Sequence, residues 1–248
     1  MVAAQQAERG IIFIASGAPF VRDAERAARS ARKQHPDLPI ALFSDVPSSD
    51  PVFDMWFEVT DPHRRSKLDY LARSPFRDTL YLDCDVRVIA SVIEPFGLLG
   101  RYDLAGCHVE NRHPVSSATA RLTDPRVDPG FAGFNSGVLY YRLSDRMRVF
   151  LETWSAGYKA ENARFDQPIL RRVMWEMPEI AVIAIPPEYN LRTLRGILFR
   201  SANESQARVL HLPWYKSADS APYRFWRTLR TLRFSPLNAV LVIRAFFT

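Results

Sequence analysis

The sequence predicts an α/β fold in which helices flank a twisted, mostly parallel sheet on both faces. Three observations support this prediction. Short apolar runs alternate with amphipathic helical segments, 248 residues suit one large domain, and 47% of the residues are hydrophobic, enough for a sizeable core. Because ligands bind such sheets beyond the carboxyl ends of the strands, we expect the functional residues in the loops that follow them.

The first two strands are predicted from apolar runs that end in polar residues. Residues 11–14 and 40–43 are wholly apolar, and they lead into Ser16 and Asp45. Between the two runs, the spacing of small and aromatic residues predicts a helix. Its expected buried face consists of Phe20, Ala24, Ala27, Ala28 and Ala31.

The following elements lead to an acidic triplet. An apolar stretch around residues 56–59 predicts a third strand, and residues 66–73 predict a short helix. The next strand, at residues 79–82, runs directly into Asp83, Cys84 and Asp85. Two carboxylates therefore follow a strongly apolar strand.

The second half of the chain begins with a long polar segment. Residues 110–129 contain proline and lack a period, which is typical of a functional lid or a mobile loop. Residues 137–141 predict a strand, and two late strands are predicted at residues 180–185 and 208–212. The helix after residue 141 is expected to bury Met147, Phe150, Leu151, Trp154 and Tyr158.

The spacing of the acidic triplet suggests a metal site. Two acids two residues apart in an extended chain point to the same side, where Asp83 and Asp85 would repel each other without a cation between them. A Mn²⁺ or Mg²⁺ ion bridged to the phosphates of a bound nucleotide would supply that charge. A solvated acidic turn at the end of the strand is the alternative, and the triplet alone does not decide between the two.

Four motifs resemble, in their order along the chain, those of GT-A glycosyltransferases, above all the retaining families related to glycogenin and bacterial lipooligosaccharide galactosyltransferases. They lie at residues 81–85, 134–138, 166–167 and His211. The resemblance implies a Rossmann-like GT-A domain over residues 1–220. It also implies transfer of a sugar from a nucleotide diphosphate donor, by default a UDP-sugar, to a hydroxyl acceptor with retention of the anomeric configuration.

The resemblance implies roles for individual residues as well. Asp83, Asp85 and His211 would ligate the Mn²⁺ or Mg²⁺ ion. Asp166 and Gln167 would act as catalytic residues near the anomeric carbon of the donor sugar. The residues expected to bind substrate are Ser16, Asp45, Lys67, Asn135, Ser136, Gly137 and Lys216.

Each of these assignments has an ordinary structural alternative. His211 fits a core histidine at a strand end, and Lys67 fits a surface lysine. Residues 135–137 fit a plain turn before a strand, and Asp166 fits an acid placed at a helix N-terminus by the helix dipole. The Gly-x-x-Lys-Pro-Trp continuation of the family is absent after the histidine, so the position of Lys216 relative to the diphosphate is left open.

Charge and cysteine content narrow the setting. A formal charge of +6 favours a polyanionic partner, whether a phosphate-bearing substrate, an anionic membrane or nucleic acid. Of the two cysteines, Cys84 lies inside the acidic triplet, so a reducing compartment is expected rather than a disulfide framework. Without a signal-peptide pattern or an apolar span of roughly 20 residues, the expectation is a cytoplasmic protein, peripheral on the inner face of a membrane.

Residues 221–248 are interpreted as a helical tail that is basic and amphipathic. On a helix, Phe225, Leu229 and Leu232 share one face, opposite Arg227. This pattern predicts a segment that lies on an anionic membrane, where the enzyme would meet a saccharide or lipid-linked acceptor. A terminal helix packed on the domain is the alternative.

Two other functions compete with sugar transfer. A haloacid-dehalogenase-type phosphatase also has Asp-x-Asp after a strand and would use Asp83 as its nucleophile, but its motif is expected near the N-terminus. A non-enzymatic protein could bind nucleic acid through the basic aromatic tail. That function would leave Asp83, Asp85, Asn135 and Asp166 unexplained, so no nucleic-acid partner is predicted.

Overall fold

The computed structural model describes residues 7–109, 124–199 and 206–232. The strands are β1 (Ala7–Ala15), β2 (Ile40–Ser44), β3 (Met55–Glu58), β4 (Phe76–Leu82), β5 (Val86–Val88), β6 (Leu104–His108), β7 (Phe134–Arg142), β8 (Val182–Ala184) and β9 (Val209–His211). The α-helices are α1 (Ala18–Gln34), α2 (Lys67–Tyr70), α3 (Asp145–Ala160), α4 (Gln167–Glu176), α5 (Leu194–Leu198) and α6 (Ala221–Leu229). Short 3₁₀ turns lie at Leu71–Arg73, Glu94–Gly100, Pro187–Tyr189, Pro213–Tyr215 and Arg230–Leu232.

Seven of the strands form one sheet in the order β3-β2-β1-β4-β7-β6-β8. All of them run parallel except β7, which is antiparallel to both of its neighbours, β4 and β6. The prediction of a mostly parallel sheet is therefore confirmed. Because β7 runs in the opposite direction, its first residues lie at the edge of the sheet where the parallel strands end.

The sheet is buried on both faces, because helices pack against each of them. Helix α1 covers one face, and its buried alanines let its backbone lie close to the strands. Helix α3 covers the other face with Met147, Phe150, Leu151 and Trp154, and Tyr158 is partly buried there. The prediction was wrong for Phe20, which is 42% exposed because the first turn of α1 lies beside a cavity at the strand ends.

The strand predicted at residues 137–141 begins earlier than expected, at Phe134. Residues 135–137 therefore lie within a buried strand, not in a turn before it. The two late strands are present as β8 and β9. Strand β9 pairs with β5 in a separate two-stranded sheet, in which Val86 lies opposite His211.

The long polar segment lies mostly outside the described residues, at positions 110–123. At its described end, Asp124 is buried and makes ion pairs with Arg126 and Arg172. The last sixteen positions, 233–248, also lie outside the described residues. Across the described parts of the chain, every helix is too short or too polar to traverse a bilayer.

Helix α6 packs on the domain along one side. On α6, Arg224 donates from Nη1 to the carbonyl oxygen of Trp214 at 3.2 Å, and in the 3₁₀ turn after the helix Thr231 accepts at Oγ1 from the backbone N–H of Leu194 at 2.9 Å. Its aromatic residues are nevertheless exposed, and Trp226 is exposed to 62%. The helix thus contributes both a packed face and an aromatic surface, and the division of the chain after residue 220 stays a prediction.

Candidate functional site

The candidate site lies at the edge of the sheet where β4 ends and β7 begins. The backbone N–H of Asp83 donates to the carbonyl oxygen of Gly137 at 2.8 Å, so the pairing of β4 with β7 extends one residue past Leu82. Asp85 lies in the turn that follows. Since β5 starts directly after this turn and pairs with β9, the register brings His211 next to Asp85.

Asp83, Asp85 and His211 form a group that we call the metal cluster. His211 Nε2 lies 3.3 Å from Asp85 Oδ1 and 3.8 Å from Asp83 Oδ2, and the three ligand atoms all lie within 4.8 Å of one another. Burial opposes the charge on Asp85, but His211 and Lys216 outweigh it, so the pKa of Asp85 is lowered. Two carboxylates and one imidazole fit a hard divalent cation.

A chain of two buried amides fixes the orientation of His211. The backbone N–H of Gly137 donates to Asn135 Oδ1 at 3.1 Å, and Asn190 Nδ2 donates to the same oxygen at 2.8 Å. Asn190 Oδ1 then lies 3.0 Å from His211 Nδ1. Because an amide oxygen only accepts, Nδ1 of His211 carries a proton, and Nε2 is the ring nitrogen that faces the two carboxylates and would bind a cation.

Gly137 is required by the packing of the metal cluster. A Cβ atom at this position would lie 2.4 Å from His211 Cε1 and 2.6 Å from Asp83 Oδ2. Any larger residue would therefore push the imidazole and the carboxylate apart. The glycine was predicted to let the backbone approach a ligand, and its observed neighbours are the candidate metal ligands.

Lys67, Arg65, Ser136 and Asp166 form a second group, which we call the salt-bridge cluster. Lys67 is buried, which excludes the surface alternative, and its Nζ lies 3.1 Å from Asp166 Oδ2 and 3.3 Å from Asp83 Oδ1. It also donates to Ser136 O and Oγ, each at 3.0 Å, and Ser136 Oγ donates to Asp166 Oδ2 at 2.6 Å. Arg65 Nε lies 3.4 Å from Asp166 Oδ1.

The charges of the salt-bridge cluster stabilise one another. Burial opposes the charge on Lys67, but Asp166 and Asp83 outweigh it, so the pKa of Lys67 is raised. Burial likewise opposes the charge on Asp166, but Lys67 and Arg65 outweigh it and lower the pKa of Asp166 to about 2. Lys67 and Asp166 are therefore both ionised at neutral pH. Asp166 immediately precedes α4, as predicted, yet its carboxylate binds Lys67 and Ser136 rather than the helix N-terminus.

Tyr81 connects the two clusters. Burial and the nearby Asp83 carboxylate raise the pKa of its hydroxyl well above the ordinary value, so it stays protonated. The hydroxyl donates to Asp83 Oδ1 at 2.5 Å, the same oxygen that faces Lys67. Asp83 Oδ2 is the oxygen that faces His211. One oxygen of the Asp83 carboxylate thus contacts Lys67 of the salt-bridge cluster, and the other faces His211 of the metal cluster.

A first cavity of about 500 Å³ opens on the β1 and β2 side of Asp83. Ser16 and Asp45 line it, and so does the exposed ring of Phe20, whereas the predicted binding of substrate by Ser16 and Asp45 stays a prediction. Asp45 Oδ1 accepts from the backbone N–H of Gly17 at 2.7 Å, and Gly17 has φ 93°, a left-handed conformation that favours glycine. Asp45 therefore shapes the loop after β1 as well as the cavity wall.

A second cavity of about 350 Å³ opens on the other side of Asp83 and Lys67. Asn135, Ser136 and Asp166 line it, together with Gln167 at the start of α4 and His211. Arg65, Lys67, Asp83 and Lys216 line both cavities. Every predicted site residue except Gly137 thus lines at least one of the two cavities.

Lys216 lies at the junction of the two cavities despite the altered sequence after His211. Its Nζ is 3.2 Å from Asp85 Oδ2. The next residue, Ser217, donates through its backbone N–H to Asp23 Oδ2 at 2.7 Å and through its hydroxyl to Asp23 Oδ1. The buried carboxylate of Asp23, on α1, therefore holds the turn that carries Lys216.

Four residues at or beside the site were missed by reasoning from the sequence: Arg65, Asn190, Asp23 and Phe20. Arg65 lies next to a predicted residue but has no distinguishing spacing. Asn190 and Asp23 act through partners distant in the chain, which no local pattern reveals. Phe20 fitted the apolar face of a helix, and only its position in the first turn distinguishes it from the buried alanines of that face.

No known sequence family matches the chain, and no curated protein matches it. Solved structures do. The galactosyltransferase LgtC, in complex with donor and acceptor sugar analogues, is 16% identical over 92% of this chain and 98% of its own, with a TM-score of 0.61. The chain has the GT-A fold.

Two further GT-A glycosyltransferases agree with this result. GlyE of Streptococcus pneumoniae TIGR4 is 16% identical over 91% of this chain and 64% of its own, with a TM-score of 0.61. Mouse xyloside xylosyltransferase 1 is 14% identical over 83% of this chain and 97% of its own, with a TM-score of 0.53. The predicted GT-A fold is therefore confirmed.

Proposed function

We propose that the protein is a metal-dependent glycosyltransferase that moves a sugar from a nucleotide diphosphate donor, expected to be a UDP-sugar, to a hydroxyl acceptor. One observation carries this proposal: Asp83, Asp85 and His211 converge between two cavities at the ligand-binding edge of a GT-A sheet. The similarity to LgtC bound to donor and acceptor sugar analogues supports it. A cation at the cluster would be Mn²⁺ or Mg²⁺.

The two cavities suggest how the donor would be divided between them. The nucleoside would occupy the first cavity, against Ser16, Asp45 and Phe20, whose exposed ring offers an apolar face for a base. The diphosphate would lie at the junction, beside the metal cluster and Lys216. The sugar would then enter the second cavity, where the buried Asn135 amide can donate to its hydroxyl groups and the buried Asp166 carboxylate can accept from them.

The proposed chemistry relies on positive charge at the leaving group. A divalent cation, when bound, supplies a Lewis acid to the diphosphate oxygens. The buried Lys67, beside Asp83, and Lys216, beside Asp85, add fixed positive charge that would favour departure of the nucleoside diphosphate. Asp83 Oδ1 is held by Tyr81 and Lys67, so the carboxylate keeps its orientation during the reaction.

The acids of the second cavity support retention of configuration. Among the described residues that line it, the carboxylates are Asp83 and Asp166. Asp83 belongs to the metal cluster, and Asp166, with its pKa of about 2, is too weak a base to accept the acceptor proton. We therefore infer front-face attack, with Gln167 beneath the reacting carbon.

A thermal-shift screen tests the proposed function. Nucleoside diphosphates and their sugars are added with and without Mn²⁺ or Mg²⁺, and we expect a metal-dependent rise in melting temperature that is largest for UDP. Asp85→Asn should abolish this rise, whereas Asp37→Asn, which removes one exposed acid, should retain it. If no diphosphate raises the melting temperature of the wild type with metal, the proposed function is wrong.

We further propose that α6 lies on an anionic membrane, which would make the protein peripheral on its cytoplasmic face and give access to lipid-linked acceptors. Tyr223, Phe225 and Trp226 are exposed beside three arginines, as an interfacial helix requires. Co-sedimentation with vesicles that contain phosphatidylserine tests this proposal. Binding should fall in Phe225→Ser/Trp226→Ser, and equal binding by wild type and variant would exclude it.

A further inference from the structure

The second cavity is strongly basic. Six cationic side chains line it, against two carboxylates, those of Asp83 and Asp166. The six are Arg65, Lys67, Arg171, Arg192, Lys216 and Arg227. Such an excess of one charge in a concave wall attracts an oppositely charged ligand.

Three of these cations are neutralised by acids of the site. Lys67 and Arg65 make ion pairs with Asp166, and Lys216 makes one with Asp85. The same three residues also line the first cavity. They therefore belong to the junction, where the diphosphate of the donor is expected.

The other three cations line the second cavity and not the first. Arg171 is buried and donates to the carbonyl oxygens of Phe131 and Asp128, so it holds the segment before β7. Within the described parts of the chain, Arg192 makes no ion pair. Arg227 lies 3.6 Å from Asp219 and is 46% exposed, which leaves its guanidinium available.

Arg192 and Arg227 come from separate elements and meet at the same cavity. Arg192 follows Asn190, which holds His211 in place. Arg227 lies on α6, one turn after the exposed ring of Tyr223, which its guanidinium contacts at 5.9 Å. Both arginines thus line a part of the second cavity that is not shared with the first cavity, and Arg227 brings α6 to its wall.

We propose that the acceptor carries an anionic group, a phosphate or a carboxylate, that binds Arg192 and Arg227 while its hydroxyl faces Asp166 and Gln167. The inference rests on the proposed function and defines its substrate class. Arginine suits this task because its planar fork binds two oxygens of a phosphate or carboxylate at once. An acceptor whose phosphate links the sugar to a lipid would place that group beside the aromatic surface of α6.

Isothermal titration calorimetry tests the proposal. The wild type is saturated with Mn²⁺ and with the nucleoside diphosphate that the thermal-shift screen selects, then titrated with glucose 1-phosphate, glucuronate or methyl glucoside. We expect at least one of the anionic sugars to bind about tenfold more tightly than the neutral glucoside. Arg192→Gln and Arg227→Gln should each weaken that binding about tenfold and leave methyl glucoside unaffected.

Two controls keep this inference separate from the proposed function. Arg230→Gln removes the same charge from an exposed position three residues after Arg227 and should bind like the wild type. The affinity for the diphosphate with Mn²⁺ should be unchanged in all three variants. If that affinity is absent from the wild type, the proposed function fails. If it is present but anionic and neutral sugars bind equally, only the acceptor proposal fails.

Two further measurements determine whether the anionic group belongs to the acceptor or to the donor. Displacement of the nucleoside diphosphate by the anionic sugar would assign the sugar to the donor site and overturn the proposal. A preference for a UDP-uronic acid over a UDP-hexose that is lost in Arg192→Gln would assign the charge to the donor, with the same consequence. Comparison of glucose 1-phosphate with glucuronate distinguishes phosphate from carboxylate, and a preference for either supports the proposal.

Discussion

Asp83 of the metal cluster also pairs with Lys67 of the salt-bridge cluster, yet the two clusters are held together differently. In the salt-bridge cluster, Lys67 and Arg65 pair with the buried Asp166 carboxylate, and the pKa values of Lys67 and Asp166 shift so that both stay charged. In the metal cluster, two carboxylates face one imidazole, and strand pairing and the amide chain keep them close. The charges of the salt-bridge cluster are therefore balanced without a ligand. In the metal cluster, a bound cation would reduce the repulsion between the two carboxylates.

Removal of Lys67 should give the largest effect. Lys67→Met leaves the buried Asp166 carboxylate without its main partner, so we expect the free energy of unfolding to fall by about 3–5 kcal/mol. Chemical denaturation monitored by circular dichroism measures this change. Lys33→Met, at an exposed position of α1, is the matched control and should change stability by less than about 0.5 kcal/mol. Equal stabilities of the two variants would contradict the assigned role of Lys67.

Gly137→Ala should disturb the metal cluster next most strongly. The added methyl group collides with His211 and Asp83, and overpacking of this kind costs about 1–3 kcal/mol. Because both neighbours are candidate metal ligands, we expect Mn²⁺ affinity to fall more than stability, as measured by calorimetry. Gly97→Ala, where a Cβ atom meets nothing within 4 Å, should retain wild-type Mn²⁺ affinity.

Acid should weaken the salt-bridge cluster in a defined pH window. The pKa of Asp166 is about 2 in the folded protein, below its ordinary value of 3.8, so its contribution is present above about pH 4 and lost as the pH falls towards 2. The shift corresponds to about 2 kcal/mol. When the pH is lowered from 5 to 2, the difference in unfolding free energy between the wild type and Asp166→Asn should therefore decrease by that amount. A constant difference between pH 5 and pH 2 would refute the coupling.

Asn190→Leu should produce the smallest of these effects. The substitution removes the acceptor of the proton on His211 Nδ1, and the loss of such an outer contact lowers metal affinity by about tenfold or more. Calorimetric titration with Mn²⁺ measures it. Asn190→Leu should leave the salt-bridge cluster unchanged. The loss of unfolding free energy caused by Asp166→Asn should therefore decrease with falling pH by the same amount whether or not Asn190→Leu is also present. A lost pH response would show that the clusters are coupled through β7.

The sequence allowed the strands that build the site to be located, because apolar runs that end in polar residues are strong local signals. It did not reveal the reversed direction of β7, since hydrophobic period is the same for both strand directions. Asn135 and Ser136 were assigned outside the strand because polar residues rarely occupy a buried one. Lys67 resembled a surface lysine, because its acidic partner Asp166 lies far along the chain.

The pairing of β5 with β9 would also determine when the proposed metal site can form during synthesis. Asp83 and Asp85 emerge early during synthesis, whereas His211 arrives on one of the last strands. A nascent chain would therefore carry two repelling acids until β9 docks beside them, and tight metal binding would report that the final third of the protein had folded. A bound ion would then link the loop after β4 to β9, and it could do so only late in folding.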